Sequence, residues 1–300
     1  DLGIYIMKNI FKCNQNDNEN IPMDLIYNTN LKFPNLHTNC KDIAYISKKL
    51  KEYRRDSICK LPFCTTIEAE SMGANINLGD EKNCPRIKSY AYNNIEELKN
   101  IKEIDLYNGR IKEVLDSIDI LSKQGEIVTL NVCGPFTIMS LLIDLKYFYK
   151  GIKKNRDLIN NVMKIIEDNI VRYILEGFKK GAKIISYSDP VGDVDIIGPK
   201  VYKDLLAKTT INIIKRIEHE LDDTVIHLCG KTSTALYNLE FCELKEVKYD
   251  EKLTYGEAIC SLLDYKGVKI IGHNCMKKTP YKISNSLIYN INLESYDFNT

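Results

Sequence analysis

The stretch Leu158–Pro190 reads LINNVMKIIEDNIVRYILEGFKKGAKIISYSDP, and its periodicity changes once. Up to Lys180 the apolar residues Ile159, Val162, Met163, Ile166, Ile170 and Ile174 recur at steps of three and four, marking one buried helix face. Gly181 then ends the helix. Lys183–Tyr187 follows as a short β-branched run, which reads as a strand, and Asp189-Pro190 opens a turn. A long helix leading through a glycine into a strand is the repeating unit of α/β folds.

The unit recurs on both sides. Candidate strands are Asn9–Cys13, Ser57–Phe63, Glu126–Val132, Lys183–Tyr187, Thr224–Cys229, Leu244–Tyr249, Val268–Ile271 and Leu287–Leu293. Helical patterns lie between them at Lys41–Tyr53, Asn94–Asn100, Ile111–Gln124, Phe136–Phe148, Leu158–Lys180, Lys200–Leu221 and Tyr255–Leu263. Gly134-Pro135 and Gly198-Pro199 put proline in a first helical turn, while Gly125 and Gly267 stand just before strands. About eight strands, each usually followed by a helix, predict a (β/α)8 TIM barrel, with a doubly wound open sheet as the alternative. Asn14–Asn20 reads as a polar loop. There is no glycine-rich dinucleotide loop, phosphate loop, internal repeat or interdomain linker, so residues 1–300 are expected to form one domain.

Composition narrows the function classes. The 42 Lys and Arg balance 41 Asp and Glu to a net charge of +1, which gives no field for nucleic acid or an anionic membrane. No apolar run approaches the ~20 residues that span a bilayer. Ten cysteines are scattered through 300 residues without the dense spacing of a small secreted scaffold, so reduced thiols in a cytoplasmic protein are expected.

One pattern carries chemistry. In Val225-Ile226-His227-Leu228-Cys229-Gly230, strand alternation puts His227 and Cys229 on the same face at the strand's C-terminal end. Barrel active sites are built at that end. An imidazole nitrogen and a thiolate sulfur together suit zinc, although a core histidine beside a buried cysteine gives the same local pattern. Ile270-Ile271-Gly272-His273-Asn274-Cys275 is another strand end with polar residues, and Cys275 would complete a His/Cys/Cys set with one open position for substrate. His273 leaves open which residue of Gly272–Cys275 coordinates.

Four motifs then resemble one family. They are Phe33–Thr38 with Leu61–Ala74 (containing Glu68-Ala69-Glu70-x-x-Gly73), Cys133-Gly134-Pro135-Phe136-Thr137, Ser188-Asp189-Pro190, and His227-Leu228-Cys229-Gly230-Lys231-Thr232. Together they resemble the uroporphyrinogen decarboxylase superfamily, in its zinc-dependent methylcobamide:thiol methyltransferase branch. That resemblance implies a (β/α)8 barrel and zinc ligands at His227, Cys229 and Cys275. It further implies methyl transfer between a corrinoid, carried on a separate small corrinoid protein, and a small thiol. The decarboxylases carry an arginine-rich motif near the first strand, whereas Asn9–Asp17 here has no arginine, which disfavours decarboxylation. The N-terminal region and the Cys229–Cys275 interval both read as shortened, the latter by one β/α unit. Two readings stand beside the methyltransferase: a lyase of the decarboxylase type, and a non-catalytic corrinoid- or ligand-binding barrel.

Weaker candidates are Glu68 and Asp189. Glu68 follows the end of a strand and is a candidate displaceable metal ligand, while Thr65-x-x-Glu68 equally reads as a capping box. Asp189 is a candidate hydrogen-bond acceptor for substrate or for a zinc-ligand histidine, while Asp-Pro equally reads as a turn opener. His37 reads as a loop residue, and Cys64 and Cys133 as thiols near the barrel mouth.

Overall fold

The computed structural model describes residues 21–293 except Asn28, Asn30 and Lys266. The candidate strand Asn9–Cys13 and the loop Asn14–Asn20 lie outside the described residues. Among the described residues nine strands follow in chain order: β1 Cys59–Leu61, β2 Asn75–Asn77, β3 Arg86–Ser89, β4 Val128–Cys133, β5 Ile184–Ser188, β6 Val225–Leu228, β7 Glu243–Lys248, β8 Ile270–Gly272 and β9 Leu287–Asn292. Seven form one sheet in the order β1-β4-β5-β6-β8-β9-β7, and β2 and β3 form a small antiparallel pair. β1, β4, β5, β6 and β8 run parallel to one another. β9 is antiparallel to both β8 and β7.

The period of two explains how this sheet sits. Cys59, Leu61, Val128, Leu130, Val132, Ile185, Tyr187, Ile226, Leu228 and Ile270 face outward into the main core, where helices such as Gly109–Lys123 and Arg156–Lys179 cover them. The alternate residues Ile58, Ile184, Val225, Ile271 and Ile288 meet in a second cluster on the inner face. Helix Tyr255–Leu262 adds Tyr255, Ala258, Ile259 and Leu262 to that cluster. Residues from both ends of the sheet therefore share an interior, as in a barrel. Further along the same inner rows come Lys60, Asn131, Cys133, Ser186, Ser188, His227 and Cys229, which line a cleft at the C-terminal strand ends.

Among the described residues no strand pair joins β1 to β7. Lys60 of β1 instead reaches Met276 O and Thr279 Oγ1, both at 3.1 Å, in the segment that follows β8. The expected sequential order of strands is corrected at β7, which lies on the far edge and not between β6 and β8. Its sequence Glu-Leu-Lys-Glu-Val-Lys explains why: four charged side chains in six positions cannot sit in a parallel strand buried on both faces. Phe136–Phe148 is likewise two helices, Pro135–Leu142 and Leu145–Lys154, because Asp144 caps the second by accepting from Lys146 N–H. No helix among the described residues is long and apolar enough to cross a membrane.

Candidate functional site

A cleft of about 430 Å³ opens at the C-terminal ends of the parallel strands, and His227, Cys229 and Cys275 all line it. Strand register brings them there. β6 pairs directly with β8, with His227 opposite Ile271, so the chain leaving β8 toward Cys275 starts beside the His227–Cys229 end. Cys275 thus follows the strand neighbouring β6, and no parallel strand intervenes. Gly272 permits this approach: a Cβ there would stand 2.6 Å from Ser233 Cβ in helix Gly230–Asn238.

His273 turns away from the cleft. Its φ of 63° is left-handed, a conformation that redirects the chain between β8 and Cys275. Its N–H donates to Ser233 Oγ at 2.8 Å, and its ring packs against Tyr237 and Tyr289. Of the two, Cys275 lines the cleft and His273 does not.

His227 is fully buried. Burial pushes its imidazole down to about 4, and the Lys60 charge adds to that, so the ring is neutral at neutral pH and keeps a lone pair. Nε2 lies 3.1 Å from the Tyr255 hydroxyl, and Nδ1 is buried without a hydrogen-bond partner. One orphaned imidazole nitrogen and two thiols on the same cleft form a donor set suited to zinc. Among the described residues no three His, Cys, Asp or Glu side chains are already gathered in ligating geometry.

Glu68 and Asp189 do not line the cleft; they stand behind its wall. Glu68 is 1% exposed, and its Oε1 accepts the Cys133 N–H at 2.8 Å while Oε2 is buried without a partner. Burial pushes its carboxyl up to about 7. The capping-box reading is corrected, because Thr66 and not Thr65 precedes helix Ile67–Ser71 and makes no side-chain cap. The Glu68 side chain turns inward, where β4 offers it a donor.

Asp189 clamps the start of helix Pro135–Leu142. Oδ2 accepts Phe136 N–H at 3.0 Å, and Oδ1 accepts Thr137 N–H at 2.8 Å and the Thr137 hydroxyl at 2.7 Å. Gly134 makes room, since a Cβ there would come within 2.4 Å of Asp189 Cβ. Burial raises this carboxyl to about 6, and the donors around it keep it ionised at neutral pH. Its partners are therefore the helix start and the Gly192 N–H of its own turn, and not His227. Replacing Asp189 with Asn turns an amide toward Phe136 N–H and is expected to cost about 2 kcal/mol. The check is a lower urea midpoint at unchanged m, and an unchanged midpoint would contradict the clamp.

Three side chains escaped the sequence reading. Arg110 is 7% exposed and ties the first two motif segments together. Nε donates to His37 O at 2.9 Å, Nη1 to Glu70 Oε2 at 2.7 Å and Nη2 to Cys64 Sγ at 3.1 Å. His37 is accordingly a buried residue of the short helix Asn35–His37, packed against Phe33 and Phe63. Nothing local marks Arg110, and Tyr255 at a helix start carries no signal for its contact with His227. Lys60 had one: it is a lone charge at an inner-face position of an apolar strand.

The uroporphyrinogen decarboxylase (URO-D) profile matches residues 20–276 of this chain. The chain belongs to the uroporphyrinogen decarboxylase family. Among curated relatives, the methylcobamide:CoM methyltransferase MtaA of Methanosarcina barkeri is 28% identical over 253 residues, covering 83% of this chain and 71% of its own length. The methylcobamide:CoM methyltransferase MtbA of Methanosarcina mazei is 25% identical over 225 residues, 74% of this chain and 66% of its own. A solved methyltransferase from Methanosarcina mazei superposes with a TM-score of 0.63 at 25% identity, covering 72% of this chain and 64% of that one. This chain therefore spans about two thirds of the relatives it matches, between 64% and 71% of their length. The resemblance read from the four motifs is borne out, and membership of the URO-D family makes the mostly parallel sheet that of a TIM barrel.

Proposed function

We propose that this member of the URO-D family is a zinc-dependent methyltransferase, moving a methyl group between a corrinoid (methylcobamide) and a small thiol. The observation that supports it most is the shared cleft of His227, Cys229 and Cys275, with His227 Nδ1 buried and unpartnered. The relatives named methylcobamide:CoM methyltransferases support the corrinoid and the thiol as co-substrates. These three residues would hold a zinc ion, which would supply the Lewis acidity that favours the thiolate form of the acceptor at neutral pH.

The chain's own residues do the rest. Neutral His227 and the two cysteines would hold the metal, and Tyr255 orients the imidazole through Nε2. Glu68 and Asp189 act as positioning residues, fixing the Cys133 backbone and the helix start behind the cleft wall. The thiolate sulfur takes the methyl carbon, the cobalt–carbon bond breaks, and its electron pair stays with the corrinoid cobalt. The corrinoid is brought by a separate small protein that docks over the cleft mouth. A cytoplasmic setting follows from this reading, because the acceptor thiol, Cys229 and Cys275 must all stay reduced.

The test is zinc analysis of the purified protein, followed by incubation with methylcobalamin and a panel of small thiols. One zinc per chain is expected, with methylcobalamin consumed, a thioether seen by mass spectrometry, and both changes stopped by a chelator and restored by zinc. Metal-free protein that decarboxylates a carboxylated tetrapyrrole would instead favour the lyase. Zinc-loaded protein that binds corrinoid but transfers nothing would favour the non-catalytic barrel.

A further inference from the structure

Lys60 lies in the middle of β1, between Ile58, which faces the interior cluster, and Pro62, which lines the cleft. Its side chain is 9% exposed, and that of Asp56, its ion-pair partner at 3.1 Å, is 1% exposed. A buried lysine on an inner barrel row is costly unless all its protons are used. Here they are: the ammonium meets Asp56 Oδ2, Met276 O and Thr279 Oγ1, each at 3.1 Å. With three acceptors around it among the described residues, Lys60 is unsuited to holding a substrate anion.

Those acceptors tie Lys60 to the chain that carries Cys275. Cys275 immediately precedes the turn Met276–Lys278, and its carbonyl accepts Lys278 N–H at 2.9 Å. Thr279 Oγ1 stands 2.6 Å from Asp56 Oδ2 and 2.9 Å from Met276 O, so the Met276 carbonyl is held jointly by Lys60 and Thr279. Thr279 O in turn accepts Gly256 N–H at 2.9 Å, and a Cβ at Gly256 would stand 2.9 Å from that oxygen. The residue before Gly256 is Tyr255, whose hydroxyl meets His227. One buried node thus reaches Cys275 through the turn and His227 through the start of helix Tyr255–Leu262.

We infer that Lys60 is a positioning residue for the metal site: with Asp56 and Thr279 it clamps the Met276–Thr279 turn onto β1 and so sets Cys275 against His227 and Cys229. The inference rests on the zinc reading above and adds to it a residue that touches neither metal nor substrate.

Cobalt(II) titration of the metal-free protein provides the test, since the thiolate-to-cobalt charge-transfer band grows with each cysteine bound. Wild type is expected to show two thiolates, and Cys275→Ala one. Lys60→Met should fall to the Cys275→Ala intensity and bind cobalt and zinc at least about tenfold more weakly, as loss of a ligand-orienting partner does. Thr279→Val keeps the volume and the Lys60–Asp56 pair and should lie between wild type and Lys60→Met; it carries the test if Lys60→Met fails to melt cooperatively. Two-thiolate intensity and wild-type affinity in folded Lys60→Met, or in Thr279→Val when that variant carries the test, would overturn the positioning role alone. A wild-type titration with no thiolate band would overturn the zinc reading itself.

Discussion

Cys229→Ala and His227→Ala are each expected to strip the protein of tightly bound zinc and to abolish methyl transfer to thiols. Zinc binding worth about 10–16 kcal/mol in four-ligand sites implies roughly 3 kcal/mol per ligand, so removing one weakens the metal by at least about a hundredfold. Both residues lie at the end of β6, which is buried throughout and hydrogen-bonded on both sides, so the rest of the site has no slack with which to replace them. His227→Ala has a second effect, because it leaves the Tyr255 hydroxyl without the imidazole it now meets at 3.1 Å. Zinc content by elemental analysis and thioether yield with methylcobalamin measure the two losses separately. Retention of stoichiometric zinc in Cys229→Ala would remove that cysteine from the site. Zinc-loaded His227→Ala with full activity would remove the metal from the reaction.

The second large effect is a pH dependence of stability centred on Glu68. Burial raises its carboxyl from an ordinary value of 4.5 to about 7. A raised folded-state value means that the folded chain holds the proton more tightly than the unfolded one. The stability that this brings is fully present below about pH 4.5 and is lost as pH rises to about 7. A shift of that size corresponds to about 3 kcal/mol. Glu68→Gln cannot ionise, and its amide oxygen still accepts the Cys133 N–H. Its stability relative to wild type is therefore expected to improve by about 2.5 kcal/mol between pH 5 and pH 8. Urea midpoints of both proteins at the two pH values provide the comparison, and a difference independent of pH would show that Glu68 is not the titrating group.

The sequence is legible wherever local geometry decides direction. Alternation along β6 alone puts His227 and Cys229 on one face, and both line the cleft. The long helix, Gly181 and the strand after it stand where the change of period puts them, with Gly181 at φ 105°. What stays hidden depends on partners far along the chain. Thr65-x-x-Glu68 has the residues of a capping box, but the Cys133 N–H on β4 captures the carboxylate. Asp189 does open a turn, accepting Gly192 N–H at its carbonyl, but its hold on a helix start in another β/α unit leaves no local trace. β7 has a strand's residues, and only its charges tell that it must lie on an edge. Lys60, Arg110 and Tyr255 act through tertiary contacts that no spacing encodes.

The edge position of β7 bears on how this chain can change over time. After helix Gly230–Asn238 the backbone departs along the outer rim as β7, turns at the exposed residues Asp250–Lys252, and comes back through helix Tyr255–Leu262 to β8 beside β6. Separation of the two cysteine-bearing strand ends is governed by the β6–β8 ladder and is independent of how much polypeptide is spooled out between them. The excursion is a length buffer: it can absorb insertions and deletions that a run of consecutive barrel strands would transmit straight to the mouth. A lineage is thus free to shorten or elaborate that flank while the geometry of the cleft is inherited intact.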